Sequence, residues 1–217
     1  MYTPPKFRET RLPVLQEAIR QARLSILVTQ DQGELEASHV PVWLDPSEGE
    51  QGTLYGHLAR ANPQGRRLGR VGTGLMICPG PDAYVTPSWY PSKAETGRVV
   101  PTWNYVAVHA SGTVEFFADP DRLRALLTRL TDRHETGRPR PWSLADAPAD
   151  YLAGQLAGIV GFRLEITRLE GKWKLSQNRS AADRQGVIDG LGQEPDPLAA
   201  AIAARMSAPQ ADGTGGP

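Results

Sequence analysis

The residues best suited to binding an anion follow a predicted strand. Residues 53–58 alternate as a strand does, and Asn62 and Pro63 then suit the N-cap and the first position of a short helix. Residues 51–81 contain no acidic residue and four arginines, which are Arg60, Arg66, Arg67 and Arg70. Because free backbone N–H groups and the helix dipole favour an anion at a helix start, this segment is a candidate phosphate cradle. A solvated basic face would explain the same arginines.

A second set of candidate side chains lies on one face of a long predicted strand. From Trp103 onward side chains alternate with period two, so one face carries Trp103, Tyr105, Ala107 and His109. The preceding loop, residues 91–101, contains prolines and a glycine that shape it. Such a face could form a wall for a planar ligand or meet a partner subunit, and ordinary core packing would explain the same pattern.

Hydrolase chemistry and metal binding find little support in the sequence. Ser38, His39 and His57 combine a hydroxyl with imidazoles, but no carboxylate stands at a recognisable spacing to orient a base. The single cysteine, Cys78, excludes an internal disulfide, and no cysteine and histidine cluster has the spacing of a structural zinc site. His134 has no second ligand nearby. We therefore expect no metal site and no catalytic triad.

Length and charge limit the class of protein. The chain has 217 residues, with 24 Lys and Arg against 24 Asp and Glu, so its formal net charge is zero. DNA binding is therefore not indicated and would need a local basic patch. No apolar run approaches the ~20 residues that cross a bilayer, and residues 1–11 lack the features of a signal peptide. We expect a cytoplasmic protein that does not associate with a membrane.

The first half of the chain is predicted to supply a helix and a hairpin. Thr10 is a candidate cap for an amphipathic helix, and residues 24–29 and 34–45 should pair as antiparallel strands. In the second strand the apolar phase changes at Ser38 and His39, which predicts a β-bulge there. Pro41 agrees, because proline occurs in strands mainly at edges or irregular positions.

The rest of the chain completes an α+β pattern that is mainly β. Short strands over 74–78 and 83–86 flank a predicted turn, and residues 161–168 and 172–175 are predicted to form a closing hairpin. One predicted helix begins at Asp119 and Pro120, and another covers residues 148–160. A third runs from a capping box of Ser180 and Asp183 to residue 191, and a fourth covers residues 196–206. Seven or eight strands with flanking helices favour an antiparallel barrel.

Three blocks of sequence resemble the signature of one family. They are EASHVPVWLD with LYGHLARANPQ (residues 36–64), SWYPSK with VPTWNYVAVHASG (88–112), and LEGKWKLSQNRSAADRQGVI (169–188). Together they resemble the PaiB-type FMN-binding negative transcriptional regulators. The resemblance implies a split β-barrel of the pyridoxamine 5′-phosphate oxidase type and a homodimer with FMN at its interface. The expected organisation is a split-barrel domain over 1–191, a C-terminal helix over 192–206 and a disordered tail over 207–217.

The resemblance also implies which residues hold FMN. The strand at residues 38–40 would pass along the isoalloxazine ring, and residues 57–62 would pass the ribityl chain and the phosphate, which favours charge-assisted hydrogen bonds. Aromatic residues near 103–105 would form a wall from the partner subunit. The implied cofactor-binding residues are Ser38, His39, His57, Leu58, Arg60, Asn62, Trp103, Tyr105, Lys174, Gln177 and Arg179. Structural hydrogen bonding would equally explain His39, and solvation would explain Lys174 and Arg179.

The sequence leaves three functions open. The resemblance implies an FMN-binding repressor that responds to flavin or redox state. No convincing helix-turn-helix is present, so direct DNA contact would need the arginines of one helix on one surface, namely Arg122, Arg124, Arg129 and Arg133. The alternative is an FMN-dependent oxidoreductase resembling flavin reductases, with a nicotinamide donor and a small acceptor. Heme binding through His57 or His109 is the third.

Overall fold

The computed structural model describes residues 1–31, 33–66 and 71–208. Its helices are α1 (Leu12–Gln21), α2 (Ser92–Thr96), α3 (Pro120–Glu135), α4 (Ala149–Ala157), α5 (Ala181–Gln193) and α6 (Pro197–Ser207). Its strands are β1 (Arg8–Glu9), β2 (Ser25–Asp31), β3 (Glu34–Val40), β4 (Trp43–Asp45), β5 (Thr53–Ala59), β6 (Val71–Val85), β7 (Thr102–Phe117) and β8 (Ile159–Lys174).

The strands form one sheet in the order β3-β2-β6-β7-β8-β5-β4, and β1 pairs with β8. Pairing is antiparallel wherever the register is described, in β1–β8, β2–β3, β2–β6, β4–β5 and β5–β8. Among the described residues the hydrogen-bonded path ends at β3 and β4 without closing. An antiparallel sheet with flanking helices confirms the predicted fold class.

The chain divides into two compact units, which we describe separately. The larger unit comprises residues 10–79 and 108–170, and the smaller unit comprises residues 1–9, 80–107 and 171 onward. The three long strands β6, β7 and β8 contribute residues to both.

The larger unit has apolar packing on both faces of its sheet. Leu27, Leu54 and Met76 are fully buried on the inner face. On the outer face, Phe117 packs with the leucines of α3 and α4. Helix α1 buries Leu15 and Ile19 among others, but its N-cap is Arg11 rather than the predicted Thr10. The helix starts one residue later because Pro13 occupies its first turn, where the fixed φ of proline is favourable.

The smaller unit is held by a helical cluster and one buried carboxylate. The cluster joins α5 and α6 to the end of β6 through Val85, Val187, Leu191, Ile202 and Met206.

Asp183 has a different role from the predicted one. Ser180 caps α5 as expected, since its hydroxyl accepts from the Asp183 backbone N–H at 3.1 Å. Instead of completing a capping box, the Asp183 carboxylate accepts from the backbone N–H (3.1 Å) and hydroxyl (2.8 Å) of Ser92. Although burial works to raise it, hydrogen bonds from Ser92 and Ser180 hold the pKa of Asp183 below its usual value.

Two predicted turns are wrong, because both segments continue as strands. The predicted hairpin around Gly171 is part of β8, where Gly171 pairs with Glu9 of β1. The predicted turn over 79–82 is part of β6. Gly80 serves close packing there, since a Cβ at this position would lie 2.9 Å from the Cβ of Val106.

The predicted β-bulge is also wrong. The register of β2 and β3 runs without interruption from the Ser25–Val40 pair to the Asp31–Glu34 pair. The apparent change of phase arises because Leu35, 75% exposed, is an apolar residue on the outer face. The predicted single strand over 34–45 instead breaks between β3 and β4, around Pro41.

The alternation predicted for the strand beginning near Trp103 is confirmed in β7. Val106, Val108 and Ala110 are buried, whereas Tyr105, Ala107 and His109 on the other face are partly exposed. None of the helices in the described ranges is long and apolar enough to span a membrane.

Arg133 of α3 joins three segments of the larger unit. Its guanidinium donates to the carbonyls of Val42, Arg20 and Ala22, the last at 3.3 Å. Two of these carbonyls lie at the C-terminal end of α1, where helix carbonyls lack intrahelical partners and attract a cation. Burial lowers the pKa of Arg133, first among several causes.

Replacing Arg133 by methionine should therefore destabilise the fold. Arg133→Met leaves these carbonyls without their donor, so we expect the free energy of unfolding to fall by about 2 to 3 kcal/mol. Urea denaturation followed by circular dichroism measures this change. The control is Arg124→Met, because Arg124 is exposed on the same helix. Equal stabilities of the two variants would contradict the role given to Arg133.

Candidate functional site

In the larger unit, side-chain hydrogen bonds tie the segment after β5 to β3. Asn62 Nδ2 donates to Ser38 Oγ at 2.9 Å, and Asn62 Oδ1 accepts from the backbone N–H of Gln64 at 3.0 Å. Asn62 is thus the N-cap, as predicted, but the element that follows is a 3₁₀ turn, Pro63–Gly65, instead of an α-helix. The structure therefore brings two of the predicted cofactor residues, Ser38 and Asn62, into direct contact.

Gln64 is a buried residue of this site to which sequence reasoning assigned no role. Only 6% exposed, it directs its amide nitrogen at the carbonyls of Leu27 (3.1 Å) and Glu36 (3.3 Å) and the hydroxyl of Thr29 (3.0 Å). Its Oε1 is buried and has no hydrogen-bond partner among the described residues. The sequence signal for this role was the position of Gln64 two residues after a good N-cap. The side chain of a residue at that position can turn back to the preceding strands.

Arg60 is exposed, and both its backbone and its side chain are hydrogen-bonded to the end of α4. Its backbone N–H donates to Gly158 O at 2.8 Å and its Nε donates to Ala157 O at 2.6 Å. These carbonyls end α4, so the helix dipole favours the cation there. Because the protein contact is made through Nε, the two terminal nitrogens remain available to an anion. Arg66 is also exposed, at the end of the 3₁₀ turn, whereas Arg67 and Arg70 lie outside the described residues.

Neighbouring residues predicted to bind the cofactor lie on opposite faces of their strands. Leu58 is buried on the inner face of β5, whereas His57 is on the outer face, opposite Gly161 of β8. The Phe117 ring packs on that glycine, where a Cβ would come within 2.4 Å of it. His57 Nδ1 is buried without a partner among the described residues, and burial lowers the pKa of His57. A common ligand can therefore meet only one of these two side chains.

The same separation applies on β3. Ser38 pairs with the fully buried Leu27, so its side chain lies on the inner face. His39 pairs with Ile26 and is exposed on the outer face.

The smaller unit contains the remaining predicted residues. Trp103 is 53% exposed, and the edge of Tyr84 meets its ring with the centroids 5.8 Å apart. Lys174 Nζ donates to Thr102 Oγ1 at 2.6 Å and to the carbonyl of Trp103, which fixes the start of β7. Burial is the main reason that the pKa of Lys174 is lowered. Tyr84 was missed because the strand containing it was predicted to be too short to place it beside Trp103.

Three other side chains of this unit are held by local contacts. Lys172 Nζ lies 5.1 Å from the centre of the Tyr105 ring. Gln177 uses both ends of its amide in its own turn, accepting from Leu175 N (2.7 Å) and donating to Trp173 O (2.6 Å). Arg179 stacks over the Tyr90 ring at 4.6 Å. These contacts preorganise the residues, and their role in holding a cofactor stays a prediction.

Metal-dependent chemistry has no candidate site in the described ranges. No group of three or more histidine, cysteine, aspartate or glutamate side chains is placed there to hold an ion.

Comparison with known proteins identifies the family of the chain and its cofactor. Residues 1–168 match the model of a family described as "Putative FMN-binding domain". Among curated relatives, the chain is 32% identical to protease synthase and sporulation protein PAI 2 of Bacillus subtilis, over 95% of this chain and 96% of that protein. It is 36% identical to an uncharacterized protein of Aspergillus fumigatus, over 88% of this chain and 90% of the relative.

Solved structures share the fold at low sequence identity. The FAD and heme binding protein from Mycobacterium smegmatis superposes with a TM-score of 0.56 at 18% identity, over 82% of this chain and 78% of that one. The flavocytochrome Anf3 from Azotobacter vinelandii superposes with a TM-score of 0.55 at 14% identity, over 77% and 69%. The family model covers the first two sequence blocks and the Bacillus relative is similar over 95% of the chain, so the chain belongs to the PaiB-type family of FMN-binding proteins, with FMN as its cofactor.

Proposed function

We propose that the protein is an FMN-binding negative regulator of transcription that works as a homodimer and responds to flavin or its redox state. The observation that carries the proposal is the segment from Arg60 to Gln64, where an anchored guanidinium precedes a capped turn that is tied to β3. The relative named for protease synthesis and sporulation supports a regulatory role.

The phosphate would be bound at Arg60. The terminal nitrogens of this guanidinium can donate two charge-assisted hydrogen bonds to phosphate oxygens, and no carboxylate is present within residues 51–81 to compete for them. The Asn62–Ser38 hydrogen bond would keep the turn beside β3, along which the isoalloxazine would lie. Bound FMN would supply the redox chemistry, while these residues orient it.

The homodimer would form through the outer face of β2, β3 and β6. Register places His39, Ile26 and Ile77 in one row and Ala37, Val28 and Leu75 in the next, and Leu35 lies beyond them. We call these seven residues the open face. They are exposed or partly exposed, although six of them are apolar. A second copy of the chain would bury this apolar surface and cover His39 at its margin.

Direct DNA contact through α3 is not part of this proposal. Arg133 is used to bind carbonyls of its own unit, and Arg122 is paired with Glu115 at 2.9 Å. Arg129 is held against Trp43 and lies 3.7 Å from Asp45, so Arg124 is the arginine of this helix whose side chain has no partner among the described residues. Helix α6 offers no basic surface for DNA either, because none of its exposed residues in the described part of the chain is a lysine or an arginine. Those residues are Pro197, Leu198, Ala200, Ala204 and Ser207. Regulation would therefore depend on bound flavin and not on DNA contacts of α3.

The same arginine contacts favour a second candidate function. A protein that holds FMN but presents little basic surface on α3 also suits an FMN-dependent oxidoreductase with a nicotinamide donor and a small acceptor. In that case the protein would position the flavin and exclude water from it.

Arg60→Ala should weaken FMN binding. Loss of hydrogen bonds to a charged phosphate costs about 1.5 to 3 kcal/mol, which corresponds to roughly 10- to 150-fold in Kd. Titration of FMN fluorescence with protein measures the change, and Arg124→Ala is the control with the same loss of charge. Unchanged affinity of the Arg60 variant would remove Arg60 from the site.

Leu35→Asp should convert the dimer to a monomer. A carboxylate within this apolar contact would be buried without a partner, while the exposed side chain of Leu35 makes the change harmless to the monomer fold. Size-exclusion chromatography with light scattering measures the mass. Tyr151→Asp is the control, because Tyr151 is 60% exposed on α4, away from the open face. A Leu35→Asp variant that keeps the dimer mass would contradict the assignment of this face.

Loss of FMN binding should abolish repression, whereas a change on α3 should not. In a host strain lacking the gene, wild type and Arg124→Glu should restore repression of the same transcripts, and Arg60→Ala should leave them at the level of the deletion strain. Repression that requires Arg124 but survives Arg60→Ala would contradict the proposal. If no transcript responds and FMN-loaded protein oxidises NADH or NADPH faster than free FMN does, the oxidoreductase is supported instead.

A further inference from the structure

A cleft in the larger unit lies apart from Arg60, where the FMN phosphate is proposed to bind. It has a volume of about 250 Å³ and lies between the outer face of the sheet and α3. Its walls include Trp43, Tyr55, Phe117, Leu126, Arg122 and Arg129. Tyr55 precedes Arg60 by five residues on β5, which is roughly 16 Å along an extended strand. The cleft is therefore a separate site, of a size that suits a ligand smaller than most cofactors.

Two arginine side chains stack on aromatic rings in the walls of the cleft. The Arg122 guanidinium lies 3.9 Å from the centre of the Phe117 ring, and the Arg129 guanidinium lies 4.2 Å from the centre of the Trp43 ring. Stacking on an aromatic ring fixes the plane of a guanidinium and leaves its N–H groups pointing outward in that plane. The Trp43 and Tyr55 rings are also neighbours, with centroids 5.7 Å apart. The cleft thus combines planar apolar walls with oriented donors.

The acidic side chains of the cleft accept hydrogen bonds from groups other than Arg122 and Arg129. Glu48 accepts from the Tyr55 hydroxyl at 2.5 Å and from Arg163 Nε and Nη2 at 3.0 and 2.7 Å. Asp45 accepts from the backbone and hydroxyl of Ser47 at 3.0 and 2.6 Å, and the hydroxyl contact is the first cause of its lowered pKa.

Arg129 has the unused donors. Its closest carboxylate in the described part of the chain is that of Asp45, at 3.7 Å, which is too long for a hydrogen bond. Arg122, by contrast, is hydrogen-bonded to Glu115 at 2.9 Å. An anion entering the cleft would therefore meet Arg129 first.

We propose that this cleft binds a small aromatic monocarboxylic acid, with its carboxylate on Arg129 and its ring against the aromatic and leucine side chains of the walls. A monoanion fits better than a dianion, because the carboxylates of Asp45 and Glu48 also line the cleft and would oppose a second negative charge. The aromatic walls favour a flat apolar body over a sugar or an extended chain.

Calorimetric titration of the FMN-loaded full chain with benzoate tests the site. We expect saturable binding of benzoate and binding at least about 10-fold weaker for uncharged benzamide, because a charge-assisted hydrogen bond is lost. Phenyl phosphate, a dianion, should also bind more weakly than benzoate. Absence of saturable benzoate binding, or tighter binding of benzamide or phenyl phosphate, would overturn the proposal.

Variants locate the binding in this cleft. Arg129→Gln should weaken benzoate binding at least about 10-fold, while Arg124→Gln, which removes a solvent-exposed charge from the same helix, should leave it unchanged. FMN affinity should be the same in both variants, which distinguishes failure of this site from failure of the flavin site. Trp43→Leu is a second variant that should weaken benzoate binding by removing the ring. Wild-type benzoate affinity in both Arg129→Gln and Trp43→Leu would contradict the assignment.

Discussion

The larger unit depends on how the sheet satisfies the backbone groups near its opening, which lies between β3 and β4 in the part of the chain that the structure describes. Within the described residues the hydrogen-bonded path ends at β3 and β4, and unpaired strand groups near the end of a sheet need other partners or solvent. Gln64 meets part of this need at β3 by donating to the Glu36 carbonyl, and it also donates to the Leu27 carbonyl of β2. Asn62 adds a side-chain hydrogen bond to Ser38. The segment proposed to bind the FMN phosphate is therefore positioned by the same contacts that hold the opening of the sheet.

This arrangement explains why binding and structure are difficult to separate at the opening. Asn62 and Gln64 both hold the turn, so their loss would disturb the fold as well as any ligand. Arg60 is different, because its backbone is fixed by Gly158 while its guanidinium reaches solvent. It is the residue of this segment whose charge can be removed with little effect on packing. Arg133 of α3 is the opposite case, because its guanidinium is bound to three backbone carbonyls of the larger unit.

The alternation of side chains predicted the strands in which one face is more buried than the other. It failed where glycine and proline occur inside strands. The alternation of side chains along β7 was predicted, whereas the structure was needed to show that Val106, Val108 and Ala110 form the buried face. Gly171 and Gly80 were read as turn residues, although each is extended and allows a close neighbour. That distinction depends on contacts distant in sequence, with Glu9 and with Val106. The family and its cofactor were predicted from three sequence blocks, while Gln64 and Tyr84 required the strand pairing and packing to be known.

The central claim is that this chain holds FMN through a segment preorganised by its own hydrogen bonds. The most direct measurement is the visible absorbance of the purified protein after incubation with FMN and removal of free flavin. The account predicts a yellow protein with a bound-flavin spectrum and one FMN for each chain. A colourless protein that retains no FMN after this treatment would contradict it.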